Sequence, residues 1–377
     1  MEVLRERMRA SLDWRRVLAI ANWHGVVPLV ETAITDLGRC GVPDEEVSAI
    51  QSAFLRLAAD SLVYARELAR IMACLADWNV PAIAFKGPAL AISFYGNIAL
   101  RKCTDLDVLT ALPDIANALE ALRSLGYELH PRNGFGSPAG LRTEKDYLLE
   151  CAASFKVELH WAAAERSFCF RMPFHEIWRR REHVVLFDRR VPAPHPEDLL
   201  LLLSVHGTRH CWRALKWICD LAFVIKQRPD IEWPRVCARA AEARCLRMLL
   251  IGLTLSRDLT RVPLPEVVDR HLEQDRAAAI ISADLRERLL ANRGIPFDLE
   301  RTLYYVRSHE RWVDRARMVG CYVADNSRPG ARDREWIRLP GFLSFLYWPI
   351  RIARVLHCHW GDTIKPLLST VAHRNAH

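Results

Sequence analysis

The chain has 377 residues, of which 51% are apolar and 26% charged. That length suits two or three domains and that apolar share a sizeable core, which excludes a disordered, collagen-like or coiled-coil chain. No run of about 18 uncharged apolar residues occurs, so no spanning helix is expected, and the opening MEVLRERMRASLDW lacks the apolar stretch of a secretory signal.

Eleven scattered cysteines form no C-x-x-C pair. They read as reduced thiols of a cytoplasmic protein rather than a disulfide framework. The net charge of +8 is unevenly placed: residues 301–377 hold 13 Lys or Arg against 6 Asp or Glu. Such a tail favours an anionic partner, either a membrane surface or nucleic acid. Only seven of the 53 basic residues are lysine: Lys86, Lys102, Lys145, Lys156, Lys216, Lys226 and Lys365. In a chain that defaults to arginine, a lysine can mark a place where a compact ammonium is needed.

In chain order, residues 1–78 read as an N-terminal helical region. Asp44 follows Pro43 at a helix start, and apolar residues recur from Ile50 to Ile71 at helical spacing, in one long helix or two. Pro81 begins a change of pattern that runs to residue 192. Ala82–Phe85 is a short apolar strand broken by Lys86-Gly87-Pro88, and a helix resumes at Pro88. Asp105–Thr110 reads as a strand, 114–125 as a helix, and Tyr127–Leu129, Tyr147–Cys151 and Phe155–Trp161 as further strands. The loop PRNGFGSPAG at 131–140 is expected to be mobile and to border the acceptor side of a site. From 193 to 323 the pattern is again helical, opened by Pro196 and two acids. Residues 324–377 are a basic linker and an apolar tail, whose stretch 342–356 is expected to dock on the protein's own helices.

The chemistry concentrates between residues 81 and 161. Alternation along a strand puts i and i+2 on one side, so Asp105 and Asp107 are expected to present two carboxylates together. The strand Phe155–Trp161 sends Phe155, Val157, Leu159 and Trp161 one way and Lys156, Glu158 and His160 the other. Glu158 is therefore a third carboxylate on a polar face, expected to lie beside the first two. Like charges this close repel unless a cation neutralises them, and hard oxygen ligands suit Mg2+, or Mn2+ in its place. On this argument, Asp107→Asn would leave the fold intact or slightly more stable. Gly87 lets the backbone approach a ligand at a strand-to-helix turn, and Lys86 adds a point charge that suits a phosphate. His206 and His210 stand four apart, as do Lys216 and Asp220, which places each pair on one helix face. That face either lines the cleft or packs the helices onto the core.

The run FKGPALAISFYGNIALRKCTDLDVLT, followed by KVELHW and HGTRHCWRALKWICDLA, resembles the bacterial uncharacterised nucleotidyltransferase family of the DNA polymerase beta-like nucleotidyltransferase superfamily. The residues that carry the resemblance are Lys86, Gly87, Leu90, Tyr95, Arg101, Asp105, Asp107, Glu158, His160 and Trp161, then His206, His210, Leu215, Lys216, Trp217 and Asp220. It covers roughly residues 20–310. The resemblance implies an α+β protein with a small mixed-sheet nucleotidyltransferase core, N-terminal helices and a C-terminal helical domain. It also implies transfer of a nucleoside monophosphate from an NTP to an acceptor hydroxyl by two-metal in-line attack. In that scheme Asp105, Asp107 and Glu158 hold the metals and Glu158 accepts the hydroxyl proton. Lys86, Gly87, Arg101 and Lys216 contact the nucleotide, while His160, His206, His210 and Asp220 support them. The acceptor stays open: a small molecule, a peptide, a protein or RNA. Two other readings compete, a catalytically silent nucleotide-binding or interaction protein of the same fold, and a membrane or nucleic-acid module built on the basic tail.

Overall fold

A computed structural model describes residues 12–39, 41–130, 145–295 and 299–327, with scattered positions between 339 and 349. The loop at 131–140 and most of the tail, and with them both expectations about those segments, lie outside the described residues. The chain forms two compact units, Met1–Gly294 and Ile295–His377. The second contributes α-helices at Leu299–Arg307 and Trp312–Ser327.

Helices α1 (Trp14–His24) and α2 (Val27–Asp36) precede α3, which runs unbroken from Asp44 to Asp77. The sequence left open whether this was one helix or two; it is one. Three acids in its first turn, Asp44, Glu45 and Glu46, complement the helix dipole. The face carrying Leu68, Ile71, Met72 and Leu75 is buried.

The sheet has five strands: β1 (Ala82–Ala84), β2 (Leu106–Thr110), β3 (Tyr127–Leu129), β4 (Asp146–Cys151) and β5 (Lys156–His160). Their order is β1-β2-β5-β4-β3. Only the central β2–β5 pair is parallel. A parallel pair needs a crossover, and here the crossover contains α4 (Ile115–Ser124), β3 and β4. Alternation then divides the sheet into two faces. Leu106, Val108, Val157 and Leu159 join α3 and α4 in the main core. Asp107, Glu158 and His160 are left on the other face.

That second face is covered in part by helices. Leu109 packs with Ile83, Phe85, Ile177 and Leu202, bringing α5 (Phe174–Arg180) and α6 (Pro196–Arg209) against the sheet. A hairpin that the sequence did not announce, β6 (Glu182–Leu186) and β7 (Arg189–Ala193), adds Val184, Leu186 and Val191 to the main core. The two acids that open α6, Glu197 and Asp198, do more than start a helix. They are buried and paired with Arg180, Arg235 and Arg239.

Helices α7 (Leu215–Gln227), α8 (Trp233–Glu242), α9 (Leu246–Thr260), α10 (Glu266–Gln274) and α11 (Arg276–Leu290) complete the unit. Trp212, which is 1% exposed, packs between α6 and α9. A Cβ on Gly207 of α6 would lie 2.5 Å from two ring atoms of Trp212, and one on Gly252 of α9 would lie 2.7 Å from its Cη2. The indole therefore fills a slot that two glycines leave open. Gly207→Ala should destabilise the unit by about 1–3 kcal/mol through overpacking. Thermal unfolding checks this; an unchanged Tm would mean that the indole has room to move.

Candidate active site

The register of the parallel pair sets Asp107 opposite Glu158. His160, two residues further along β5, lies on the same face. One ligand atom from each of Asp107, Glu158 and His160 lies within 4.8 Å of the others, the one such group found among the described residues. His160 Nε2 is 2.9 Å from Asp107 Oδ1 and 3.4 Å from Glu158 Oε2. An ionised carboxylate only accepts, so this ring nitrogen carries the proton and donates.

Antiparallel β4 brings Asp146 opposite His160. Asp146 Oδ2 is 3.5 Å from His160 Nδ1. Lys145 pairs with Asp146 and stands 4.0 Å from Glu158 Oε2. From the other side of the sheet, Lys86 leaves the end of β1. Its Nζ is 2.5 Å from Asp107 Oδ1 and 3.2 Å from His206 Nδ1. Gly87 follows with φ +60, and its added Cβ would meet Cys103 Sγ at 3.4 Å. The left-handed backbone there favours glycine.

Charge balance explains how these acids are buried. Burial pushes the Asp107 carboxyl up, but the charge of Lys86 and the hydrogen bond and charge of His160 outweigh it and hold it well below the carboxylate range. Burial likewise raises Glu158, and His160 with Lys145 overcomes both that and Asp107. Stability from these depressed groups is complete above the ordinary carboxylate range and is lost as pH falls below it. Asp105 behaves oppositely: burial and then repulsion by Asp107 raise it. Burial lowers Lys145 to about 8, and burial with Arg209 lowers His210 to about 3. His206 falls well below the usual imidazole value through burial and the charge of Lys86. Both histidines are therefore neutral near pH 7.

Several residues stand elsewhere than the sequence suggested. Strand β2 begins at Leu106, so Asp105 precedes the pleat and is not part of the close Asp107–Glu158–His160 group. It stays within electrostatic reach of Asp107, Lys86, Glu158 and Lys216. His160, expected to support the acids from behind, takes the third place among them. Lys86, expected to contact the nucleotide, touches Asp107, because a buried carboxylate needs a counter-charge. Arg101, expected to contact the nucleotide, is engaged by Asp220 instead. Its Nε and Nη2 donate to Asp220 at 2.8 and 2.9 Å, and Tyr95 donates to the same carboxylate at 2.7 Å. This buried pair ties the segment before β2 to α7. Asp220 is thus part of that tie and not of the Asp107 cluster.

Lys216 is half-buried against Gly25, its Nζ 5.7 Å from the Trp217 ring centre. His210 stacks on Trp217 at 4.8 Å. Lys145 and Asp146 went unassigned in the sequence because no motif surrounds them. One signal was available: three of the seven lysines, Lys86, Lys145 and Lys216, have the acids of this region among the charges acting on or pairing with them.

Residues 10–261 match the uncharacterised nucleotidyltransferase family, and the chain belongs to that family. No curated protein matches it. Among solved structures, it is similar to the crystal structure of ANT(2")-Ia in complex with adenylyl-2"-tobramycin at 14% identity and a TM-score of 0.30, covering 60% of this chain and 98% of that one. The solution structure of ANT(2'')-Ia gives 14% identity, a TM-score of 0.28 and coverage of 61% and 92%. An antigenic nucleotidyltransferase-like protein from Paracoccidioides brasiliensis gives 15% identity, a TM-score of 0.27 and coverage of 50% and 88%.

The Lys86 contact reverses the expectation that Asp107→Asn leaves the fold as stable or more so. Removing the carboxylate leaves the Lys86 ammonium, 5% exposed, without its counter-ion. Asp107→Asn should lower stability by about 3 kcal/mol, the scale of a broken buried pair. Adding Lys86→Met should recover on the order of 1–3 kcal/mol against the sum of the single changes. Urea unfolding in a chelator measures both; strict additivity would show that the pair is not coupled.

Proposed function

We propose that the chain transfers a nucleoside monophosphate from a nucleoside triphosphate to an acceptor hydroxyl and releases pyrophosphate. The observation that carries this reading is the strand register that places Asp107 against Glu158, with His160 beside them, in a chain of the nucleotidyltransferase family.

The donor set fits a divalent cation. Two carboxylate oxygens suit Mg2+ or Mn2+, and His160 Nε2 could join them only by giving up the proton it carries. Asp107 and Glu158 would hold the ion, and Asp105 at the mouth of β2 would supply the further carboxylate that a two-ion arrangement needs. When bound, such ions offset the charge of a triphosphate and of the transition state.

The chain's own residues would do the rest. Lys86 and the backbone turn at Gly87 would hold phosphate oxygens. Glu158 would orient the attacking hydroxyl and accept its proton. Lys216, within electrostatic reach of Asp105, would face the nucleotide. His206 would hold Lys86, and His210 with Trp217 would wall the cleft. Arg101, bound to Asp220, would act on this site only by fixing the segment that leads into β2.

The test offers each of the four NTPs, labelled at the α-phosphate, with Mg2+ or Mn2+ and pools of hydroxyl-bearing small molecules, peptides and RNA. Label should move to an acceptor as pyrophosphate appears. Glu158→Gln should slow transfer by on the order of 100- to 1000-fold, the scale for losing a group that stabilises the transition state, while the melting curve stays cooperative. Absence of both nucleotide binding and pyrophosphate release across the panel would reject the reading.

A further inference from the structure

We infer that Lys86 is a tethered cation that occupies the metal's place on Asp107 when no nucleotide is bound, so that nucleotide and divalent ion load the site together. The inference rests on the transferase reading and adds to it a rule for how the site fills.

Three observations carry it. Lys86 Nζ lies 2.5 Å from Asp107 Oδ1, and Asp107 is one of the three residues whose donor atoms converge. An ammonium that close excludes a divalent ion from the same oxygen, because two cations cannot share it without strong repulsion. Second, Lys86 and Asp107 are 5% and 4% exposed. Buried this deeply, Asp107 must always have a cation, and Lys86 must always have an anion. Third, Lys86 has an alternative polar neighbour: His206 Nδ1 stands 3.2 Å away. That imidazole is neutral, and beside an ammonium it presents its lone pair. It can hold Lys86 while the lysine's charge turns from one anion to another.

The consequence follows from charge conservation in a dry site. If Lys86 leaves Asp107, the carboxylate needs a new cation and the ammonium a new anion. A metal ion supplies only the first and a triphosphate only the second. Together they satisfy both, so each raises the affinity of the other, and by linkage the two enhancements are equal. Lys86 thus keeps the site neutral when empty and guards Asp107 against divalent ions arriving without nucleotide. His206 is a positioning residue in this exchange, acting through Lys86.

Mn2+ titration, followed by the loss of the free-ion electron paramagnetic resonance signal, tests this without turnover. The full chain is titrated alone and with a mixture of non-hydrolysable α,β-methylene analogues of the four NTPs. In the wild type, Mn2+ should bind weakly alone and at least about tenfold more tightly with the analogues, beyond the Mn2+ that the analogues bind by themselves. Lys86→Met should bind Mn2+ alone about tenfold more tightly than the wild type and should lose most of the enhancement by analogues. Should Lys86→Met fail to fold, Lys86→Gln, neutral and of similar length, is read in the same way. Wild type binding Mn2+ as tightly without analogues as with them overturns the place-holder but leaves the transferase reading standing. No Mn2+ bound by folded wild type or variant under any condition overturns both.

Discussion

A carboxylate cannot be buried in the middle of a sheet without compensation, and Asp107 has a cation and a hydrogen-bond donor. It lies on the parallel pair β2–β5, opposite a second carboxylate, Glu158. Lys86 supplies a full charge from the end of β1, and His160 donates a hydrogen bond from β5. Each is held by a further contact, Lys86 by His206 and His160 by Lys145 and Asp146. The cluster therefore ties together β1, β2, β4, β5 and α6, and the geometry of the whole polar face follows from keeping one acid ionised.

The same electrostatics sort the three acids into different roles. Asp107 and Glu158 are depressed because cations touch them, whereas Asp105 is raised because burial and a like charge act on it with less compensation. Residues that look equivalent in a D-x-D motif are thus divided by a single feature, the start of the strand at Leu106. Asp105 sits before the pleat, and Asp107 sits within it.

The tie between the core and the helices is a separate matter. Arg101 and Asp220 form a buried, two-pronged pair, joined by Tyr95. Ser61 of α3 donates to the Arg101 carbonyl and Tyr64 to that of Thr104. The segment leading into β2 is gripped from both sides. The family motif thus contains structural residues as well as chemical ones, and a list of motif positions does not distinguish them.

By itself the sequence determined the local matters. Period-two alternation in Phe155–Trp161 assigned Glu158 and His160 to the polar face, and the K-G turn and the DLD run announced where charge would gather. The helical period of α3 and the Pro-acid start of α6 were equally plain, since such signals depend only on near neighbours in the chain. Tertiary structure alone decided which charges meet. Lys86 reaches Asp107 because β1 pairs with β2, Asp107 faces Glu158 across 51 residues because a crossover makes β2 and β5 neighbours, and Arg101 finds Asp220 on a helix 119 residues away. Lys145 and Asp146 enter through the register of β4 with β5. Alternation fixes a side chain's face from its own strand, but the partner across that face is set by pairing and desolvation, which no local pattern encodes.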